Sequence, residues 1–311
     1  MILTVTLNPS VDETLFVGSL QIGDTNRVTR VELDAGGKGV NVARVFVALG
    51  GQAVATGFLG GRHGRFVQMA LNEEGVETDF EIIAGRTRRN ICIEEAEDRP
   101  PTTLNEAGPT ITEENWNALL ERVKKHLPRV KWMATGGSLP PGAPRDAYKT
   151  LLELAREHGV STVLDAEGPA MMQGLHGKPT MIKPNELEAE RLVGMNLHSD
   201  NDFLGAASAL SKKHGIPFVI ISRGARGAVA ITQHGAFKAR PPLIQARSTV
   251  GSGDSLVGGA LFIAAEGGTF EEALKWGVAA GTATAMTSGS EICTRQDTEK
   301  MLPEIVVQKI A

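Results

Sequence analysis

The sequence predicts an α/β protein: a mostly parallel sheet covered by helices on both faces, with a small second sheet beside it. Three observations carry this. Short apolar, β-branched runs alternate with helix-spaced stretches through most of the 311 residues, which is the pattern of successive strand–helix units. Two regions, 12–35 and about 86–106, read as strands with no helix after them. The 36 glycines follow no repeat, so they mark tight turns and close backbone approaches.

In chain order, Ile2 to Leu7 is a β-branched strand that ends at Asn8-Pro9-Ser10. Residues 12–35 then form strands of the small sheet. Gly39 to Leu49 carries Val40, Ala43 and Val47 at helical spacing, and Gly50-Gly51 stops it. The second insertion, 86–106, alternates imperfectly, with Asn90, Cys92 and Glu94 set against Ile91, Ile93 and Glu95. The two insertions form either a lid over a site or an edge extension without a role. Helices follow at Glu113 to His126, Arg145 to His158 and Asp202 to His214; Gly159 and Gly215 terminate the last two. Buried strands lie between and around them: Val130 to Thr135, Thr162 to Leu164, Thr180 to Ile182 and Phe218 to Ile221. Ser252 to Glu266 and Phe270 to Met286 are long small-residue helices, and Thr294 to Asp297 has the spacing of a capping box that opens a last helix. No repeat or linker divides the chain, so residues 1–311 are read as one domain plus the insertions.

Composition narrows the function. A hydrophobic fraction of 41% with 22% charged residues can bury a core, unlike a disordered chain. The formal net charge of −4 argues against a nucleic-acid binder working through counterion release. The longest apolar stretch, Leu256 to Ala265, is far short of the roughly 20 residues that span a bilayer, so no membrane partner is expected. The N-terminus lacks a basic region and cleavage signal. With Cys92 and Cys293 read as reduced packing thiols, the expected compartment is the cytoplasm. The sequence lacks a P-loop, a G-x-G-x-x-G turn, an H-E-x-x-H pair and a G-x-S-x-G elbow.

The strongest local signal is Thr249-Val250-Gly251-Ser252-Gly253-Asp254-Ser255, directly before an apolar helix. Glycines admit close backbone approach, and successive amides at a helix start make an anion site. Asp254 in the first turn either answers the helix dipole or takes a proton from a hydroxyl nucleophile beside a transferring phosphoryl group. A second signal is Asp34-Ala35-Gly36-Gly37-Lys38-Gly39-Val40-Asn41. There a glycine turn enters a helix, Lys38 offers a point cation, and Asn41 offers a donor and an acceptor. A third is the pair Arg88-Arg89 in an otherwise acidic strand region, suited to bidentate phosphate recognition or to a solvated edge. Lys183-Pro184-Asn185-Glu186-Leu187-Glu188 and Ser222-Arg223-Gly224-Ala225-Arg226-Gly227 each follow a strand, where open α/β sheets bind ligands.

Together these segments resemble the PfkB/ribokinase family of carbohydrate kinases over essentially the full chain. The motifs are Gly36-Gly37-Lys38-Gly39-Val40-Asn41-Val42-Ala43, Val250-Gly251-Ser252-Gly253-Asp254-Ser255, and Asn185 with Glu188. Thr6-Leu7-Asn8-Pro9-Ser10-Val11-Asp12, Thr87-Arg88 with Asn90, and Gly137-Ser138-Leu139-Pro140-Pro141-Gly142 resemble its phosphofructokinase branch, which includes 1-phosphofructokinase and tagatose-6-phosphate kinase. The resemblance implies a three-layer αβα ribokinase-like domain with a mostly parallel sheet and a β-sheet lid that serves as a homodimer contact. It implies Asp254 as general base and the amides of Gly251, Ser252 and Gly253 as anion hole. Asp12, Gly37 and Asn41 would hold sugar hydroxyls; Arg88, Arg27 and Lys38 would hold the phosphate already on the substrate, with Ser138 lining that pocket. Asn185, Ser222, Gly224 and Gly227 would contact ATP, Glu188 would organise Mg²⁺ through water, and the loop Thr287–Ser290 resembles a region that binds a monovalent cation, K⁺, in relatives. The implied activity is ATP-dependent phosphorylation of a hexose phosphate, fructose 6-phosphate or fructose 1-phosphate. Tagatose 6-phosphate is the alternative substrate, and a non-catalytic sugar-phosphate sensor is the alternative of another class. Thr25 stands where some relatives carry Lys, Lys38 where others carry Gly, and Arg89 is a cation to which the resemblance assigns no role.

Overall fold

The computed structural model describes residues 1–95, 101–233 and 235–310. Part of the second predicted insertion, residues 96–100, lies outside them. The chain opens with β1 (Ile2–Thr6), β2 (Ser10–Val17), β3 (Val28–Gly36), α1 (Lys38–Ala48), β4 (Ala53–Leu59) and α2 (Gly61–Glu73). It continues through β5 (Glu77–Thr78), β6 (Glu81–Ile82), β7 (Arg88–Glu95), β8 (Thr102–Asn105), α3 (Glu113–His126), β9 (Trp132–Gly136), α4 (Ala147–Glu157) and β10 (Ser161–Asp165). Next come α5 (Gly168–Leu175), β11 (Met181–Ile182), α6 (Glu186–Val193), α7 (Asp200–His214), β12 (Phe218–Ser222), β13 (Ala228–Thr232) and β14 (Gly235–Arg240). The last elements are α8 (Ser252–Ala265), α9 (Phe270–Ala285), α10 (Arg295–Met301) and β15 (Val306–Ile310).

The main sheet runs β15-β14-β13-β12-β11-β10-β9-β1-β4-β5, with β6 also on β4. From β5 to β12 neighbouring strands are parallel, as expected. The β12–β13, β13–β14 and β14–β15 pairs are antiparallel. This antiparallel edge departs from the predicted parallel pattern. Gly227, at φ 81°, turns the chain back into β13 where a crossover helix was the alternative.

Alternation along β1 sends side chains to two separate cores. Ile2 packs with Val40, Phe46, Leu261 and Leu274 of α1, α8 and α9. Leu3 and Val5 pack with Leu119, Tyr148, Leu151, Met171 and Phe203 of α3, α4, α5 and α7. The result is the predicted helix–sheet–helix sandwich. Where the predicted ends shift, local chemistry explains it. The strand expected from Val130 begins at Trp132, because Leu127–Arg129 continues α3 as a 3₁₀ turn with Pro128. The Thr294 hydroxyl accepts from the Asp297 amide and caps α10. The Asp297 carboxylate bonds back to that hydroxyl, not to the Thr294 amide that a capping box requires.

The two insertions form one four-stranded sheet, β3-β2-β7-β8. Register puts Asp12 beside Asp34 and Asn90, and Thr14 beside Glu32 and Cys92. That polar face turns toward the main body. The opposite face carries Leu15, Val31, Leu33, Ile91, Ile93 and Leu104, with Val31, Leu33 and Leu104 each about half exposed.

Candidate active site

Five parallel strands end on the same edge of the sheet, and the residues there line two adjoining cavities. Thr6 of β1 is in register with Gly136 of β9, and Gly136 with Asp165 of β10. Leu164 pairs with Ile182, so Lys183 leaves β11 beside Asp165, and Ser222 of β12 bridges to Asn185. The first cavity, about 620 Å³, lies under the small sheet and is lined by Thr6, Asn8, Asp12, Gly37, Asn41, Arg88 and Ser138 among others. The second, about 540 Å³, is lined by Lys183, Asn185, Ser222, Gly224, Gly227, Ser252 and Gly253, with Leu243, Ile244 and Val278 supplying apolar wall. Lys38, Gly251 and Asp254 line both cavities.

Asp254 sits in the first turn of α8, whose cap residue Gly251 is left-handed at φ 74°. Burial pushes its carboxyl up to about 6, against the pull of Lys38 and a hydrogen bond from Asn41. Asn41 Nδ2 donates to Asp254 Oδ2 at 2.8 Å, which ties the start of α1 to the start of α8. Asn41 thus orients the carboxylate, a task the sequence reading did not give it. A carboxylate poised near neutrality beside amides at a helix start can take a proton while an anion is held.

The wall of the first cavity comes from the small sheet. Asp12 Oδ1 accepts from Ser10 Oγ at 2.7 Å and from Asn90 Nδ2 at 2.9 Å. Burial raises the Asp12 pKa despite these bonds. A Cβ on Gly36 would fall 2.2 Å from Asp12 Oδ2, so Gly36, beside the predicted Gly37, is what admits this side chain. Gly37 has φ 113°, and a Cβ there would lie 2.9 Å from Thr6 Cγ2. The Arg88 guanidinium is held by two carbonyls, Nε to Asn8 O at 3.1 Å and Nη1 to Glu106 O at 3.2 Å. Arg88 is among the residues that line the cavity. Asn8 Nδ2 donates to Ser138 Oγ at 3.1 Å. Three buried oxygens here, Thr6 Oγ1, Asn8 Oδ1 and Asn90 Oδ1, have no hydrogen-bond partner. Orphaned buried oxygens are costly.

Two lysines meet at Asp165 where the cavities join. Lys38 Nζ lies 2.9 Å from Oδ1 and Lys183 Nζ 3.2 Å from Oδ2. Burial works against the ionised carboxylate, but the two ammonium groups outweigh it and hold Asp165 below the ordinary range. A Cβ on Gly253 would sit 3.2 Å from Lys183 Nζ, which places that ammonium against the α8 N-terminus. Ser252 lines the second cavity, and its hydroxyl is buried without a partner.

Beside the second cavity, Asn185 and Glu188 form a capping box: Asn185 Oδ1 accepts from the Glu188 amide, and Glu188 Oε2 from the Asn185 amide. Glu188 is buried behind Asn185 and lines neither cavity. Among the described residues no group of three or more His, Cys, Asp or Glu is placed to hold a metal. The donor set therefore fits a hydrated ion that leans on phosphate oxygens, as Mg²⁺ does, and no all-protein cage. Gly227 is required by the fold as well, since a Cβ would meet Ala239 O at 2.0 Å. Gly224 faces open space.

The structure brings every sequence-predicted site residue into the lining of these cavities except two, Glu188 behind Asn185 and Arg27. Arg27 is exposed in the loop before β3 and lines neither cavity. Arg89 points away into ion pairs with Glu13 and Glu106. Sequence reasoning passed over Asp165, Lys183, Asn8 and Asn90 as site residues. The last three stood inside quoted motifs; Asp165 stands in none, and only its place at a strand end marked it.

A profile of the pfkB family carbohydrate kinases matches residues 5–297. Among solved structures, a Staphylococcus aureus protein described provisionally as a phosphofructokinase is 34% identical, with TM-score 0.84 over 100% of this chain and 99% of that one. Phosphofructokinase-2 of Escherichia coli, solved in complex with potassium, is 30% identical with TM-score 0.91 over 97% and 98%. Another structure of that enzyme is a complex with fructose 6-phosphate. A Thermotoga maritima protein described provisionally as a 1-phosphofructokinase is 28% identical, with TM-score 0.89 over 100% of both chains.

Proposed function

The chain belongs to the pfkB family of carbohydrate kinases, and from that premise we propose that it transfers the γ-phosphoryl group of ATP to a hydroxyl of a hexose phosphate, fructose 6-phosphate first. The observation that carries this is one cavity lined by both Asp254 and the half-buried cation Arg88, joined to a second cavity with an apolar wall. A substrate with hydroxyls alone leaves Arg88 without an anion. A sugar phosphate supplies one, and its hydroxyls answer Asp12, Asn8, Asn90 and Thr6.

The chemistry follows from the layout. Asp254, ionised above about pH 6, accepts the proton of the acceptor hydroxyl. That oxygen bonds to the γ-phosphorus as the bond to the β,γ-bridging oxygen breaks, and ADP leaves with the electron pair. The α8 amides of Ser252 and Gly253 hold the phosphoryl oxygens. Asn185, Ser222, Gly224 and Gly227 line the ATP cavity. Glu188 would hold Mg²⁺ through water, and the ion would supply charge neutralisation on the phosphates. The loop Thr287–Ser290 is our site for K⁺; its Ser288 and Ser290 hydroxyls bond Glu32 and Asp34 of β3. The apolar outer face of the small sheet is the surface through which two copies pair.

A kcat/KM panel over fructose 6-phosphate, fructose 1-phosphate, tagatose 6-phosphate, ribose and adenosine, with ATP and Mg²⁺, tests the reading. A ketohexose phosphate is expected to lead by at least about tenfold, the worth of one charged contact. A lead for tagatose 6-phosphate changes the named sugar. A lead for ribose or adenosine, or sugar-phosphate binding without ADP release, overturns the proposal.

A further inference from the structure

Lys38 and Lys183 pose a problem that the proposed transfer does not by itself solve. Two ammonium groups share one carboxylate, Asp165, at distances of 2.9 and 3.2 Å. Asp165 and Lys183 are almost wholly buried and Lys38 is partly exposed where the cavities meet, so two cations share one carboxylate in a largely desolvated place. Such an arrangement is costly unless an anion completes it. The other carboxylates whose charge reaches Lys38 are Asp254 and Glu188. The first is needed as a base, and the second is engaged in its capping box.

The position of the cluster decides its purpose. Lys38 lines both cavities and Lys183 the second. Lys183 Nζ lies against Gly253, at the amide end of α8, and Lys38 faces the same junction as Asp254. The phosphate already on the sugar is served elsewhere, by Arg88 under the small sheet. The anion that fits between two lysines and a helix start is therefore the one in motion. We propose that Asp165 is a positioning residue that sets Lys38 and Lys183 on the phosphoryl group as it crosses from one cavity to the other. This deepens the proposed kinase reading and rests on it.

The physical logic is preorganisation. A lysine is a point charge on a flexible stem, and left free it would turn to the nearest carboxylate, Asp254, and pair with the base. Asp165 holds both stems by their ends. The cations then need no reorganisation when charge moves onto the bridging oxygen and the new ester oxygen. The carboxylate touches neither substrate in this scheme, so its effect should appear in turnover and not in binding of the sugar phosphate.

The test compares wild type with Asp165→Asn, Lys38→Met, Lys183→Met and the double variant Asp165→Asn/Lys183→Met, using fructose 6-phosphate, ATP and Mg²⁺. Each lysine variant is expected to lose about 100-fold in kcat, the scale for removing one preorganised donor. Asp165→Asn is expected to lose about 30-fold, with KM for the sugar phosphate and the Mg²⁺ half-saturation both within about threefold. The double variant should lose less than the product of the two single losses, because with Lys183 gone only the hold on Lys38 remains to be lost. Three outcomes overturn the proposal: full kcat in Asp165→Asn, fully multiplicative losses in the double variant, or a Mg²⁺ requirement raised about tenfold, which would make Asp165 a metal group. A Lys38→Met variant that raises KM at constant kcat returns Lys38 to anchoring and also overturns it. Thermal unfolding is measured first. Should the single Asn variant not fold, the double variant, which removes one charge of each sign, is compared with Lys183→Met. If wild type phosphorylates no hexose phosphate, the kinase reading fails by itself. The lysines are then tested by calorimetry, through the affinity ratio of AMP-PNP to ADP. A drop of about fivefold or more in Asp165→Asn supports the arrangement, and an unchanged ratio overturns it.

Discussion

Asp254 combines two demands that conflict, and a single substitution separates them. Its buried carboxyl is raised to about 6 from an ordinary 3.8, so the folded protein binds a proton more tightly than the unfolded chain. Its ionised form therefore opposes folding: the cost is nil below about pH 4, grows between 4 and 6, and is complete above 6. Asp254→Asn is expected to lower kcat by about 100-fold or more while raising the unfolding temperature at pH 7.5 and not at pH 4; scanning calorimetry at the two pH values checks this. In wild type, kcat/KM should fall as pH drops through about 6, and a pH–rate profile flat from 7 to 5 would remove Asp254 as base. Arg88→Ala is expected to raise KM for the sugar phosphate about tenfold at saturating ATP, the worth of one charge-assisted contact. At this scale, what was legible in the sequence was residue type within motif: Asp254, Asn41, Arg88 and Gly37 all stand where their neighbours announced a ligand. Asn41's bond to Asp254 crosses 213 positions of sequence and leaves no local trace. Asp165 was illegible for a related reason, since its meaning comes from strands on either side of it.

Elements of the small sheet show how a register becomes a pocket. The β2–β3 pairing sets Ser10 opposite Gly36 and Asp12 opposite Asp34, and the Asp12 carboxylate then fills the space a Gly36 side chain would take. Gly36→Ala is expected to push Asp12 aside. Steady-state kinetics should show KM for the sugar phosphate up about tenfold, with KM for ATP within about twofold. Equal rises in both would mean that the whole edge of the main sheet had moved. Arg44 fixes the same strand from behind. Its guanidinium bonds Glu74, the residue that ends α2, through Nε and Nη2, and donates to the carbonyl of Ala35 at 3.0 Å. The alternating helices and strands were legible because 3.6 and 2.0 periodicities survive in single segments. The antiparallel hairpin β13–β14 and the strand β15 were not. Their pairing partners are decided by the Gly227 turn and by the open edge of β12, and neither is a property of periodicity.

For the whole molecule, two surfaces of the small sheet point to two different ligands. The polar face lines the cavity, and the opposite face bears Leu15, Val31, Leu33, Ile91, Ile93 and Leu104, of which Val31, Leu33 and Leu104 are about half exposed among the described residues. Exposed apolar patches of this kind mark association surfaces. Leu33→Glu/Ile93→Glu is expected to halve the mass seen by sedimentation or light scattering, whereas a monomeric wild type would refute self-pairing. The three-layer architecture was legible from element order alone, while its dependence on contacts between distant segments was not. The one bond from Asn41 to Asp254 has a consequence for assembly. The chain must close a loop of more than two hundred residues before the two helix starts can meet, and such remote closures form late. During refolding from denaturant, the environment of Trp116 inside its own core should be restored before any turnover returns. A chain severed at an exposed loop between the two helices would recover catalysis only by bringing its fragments back together.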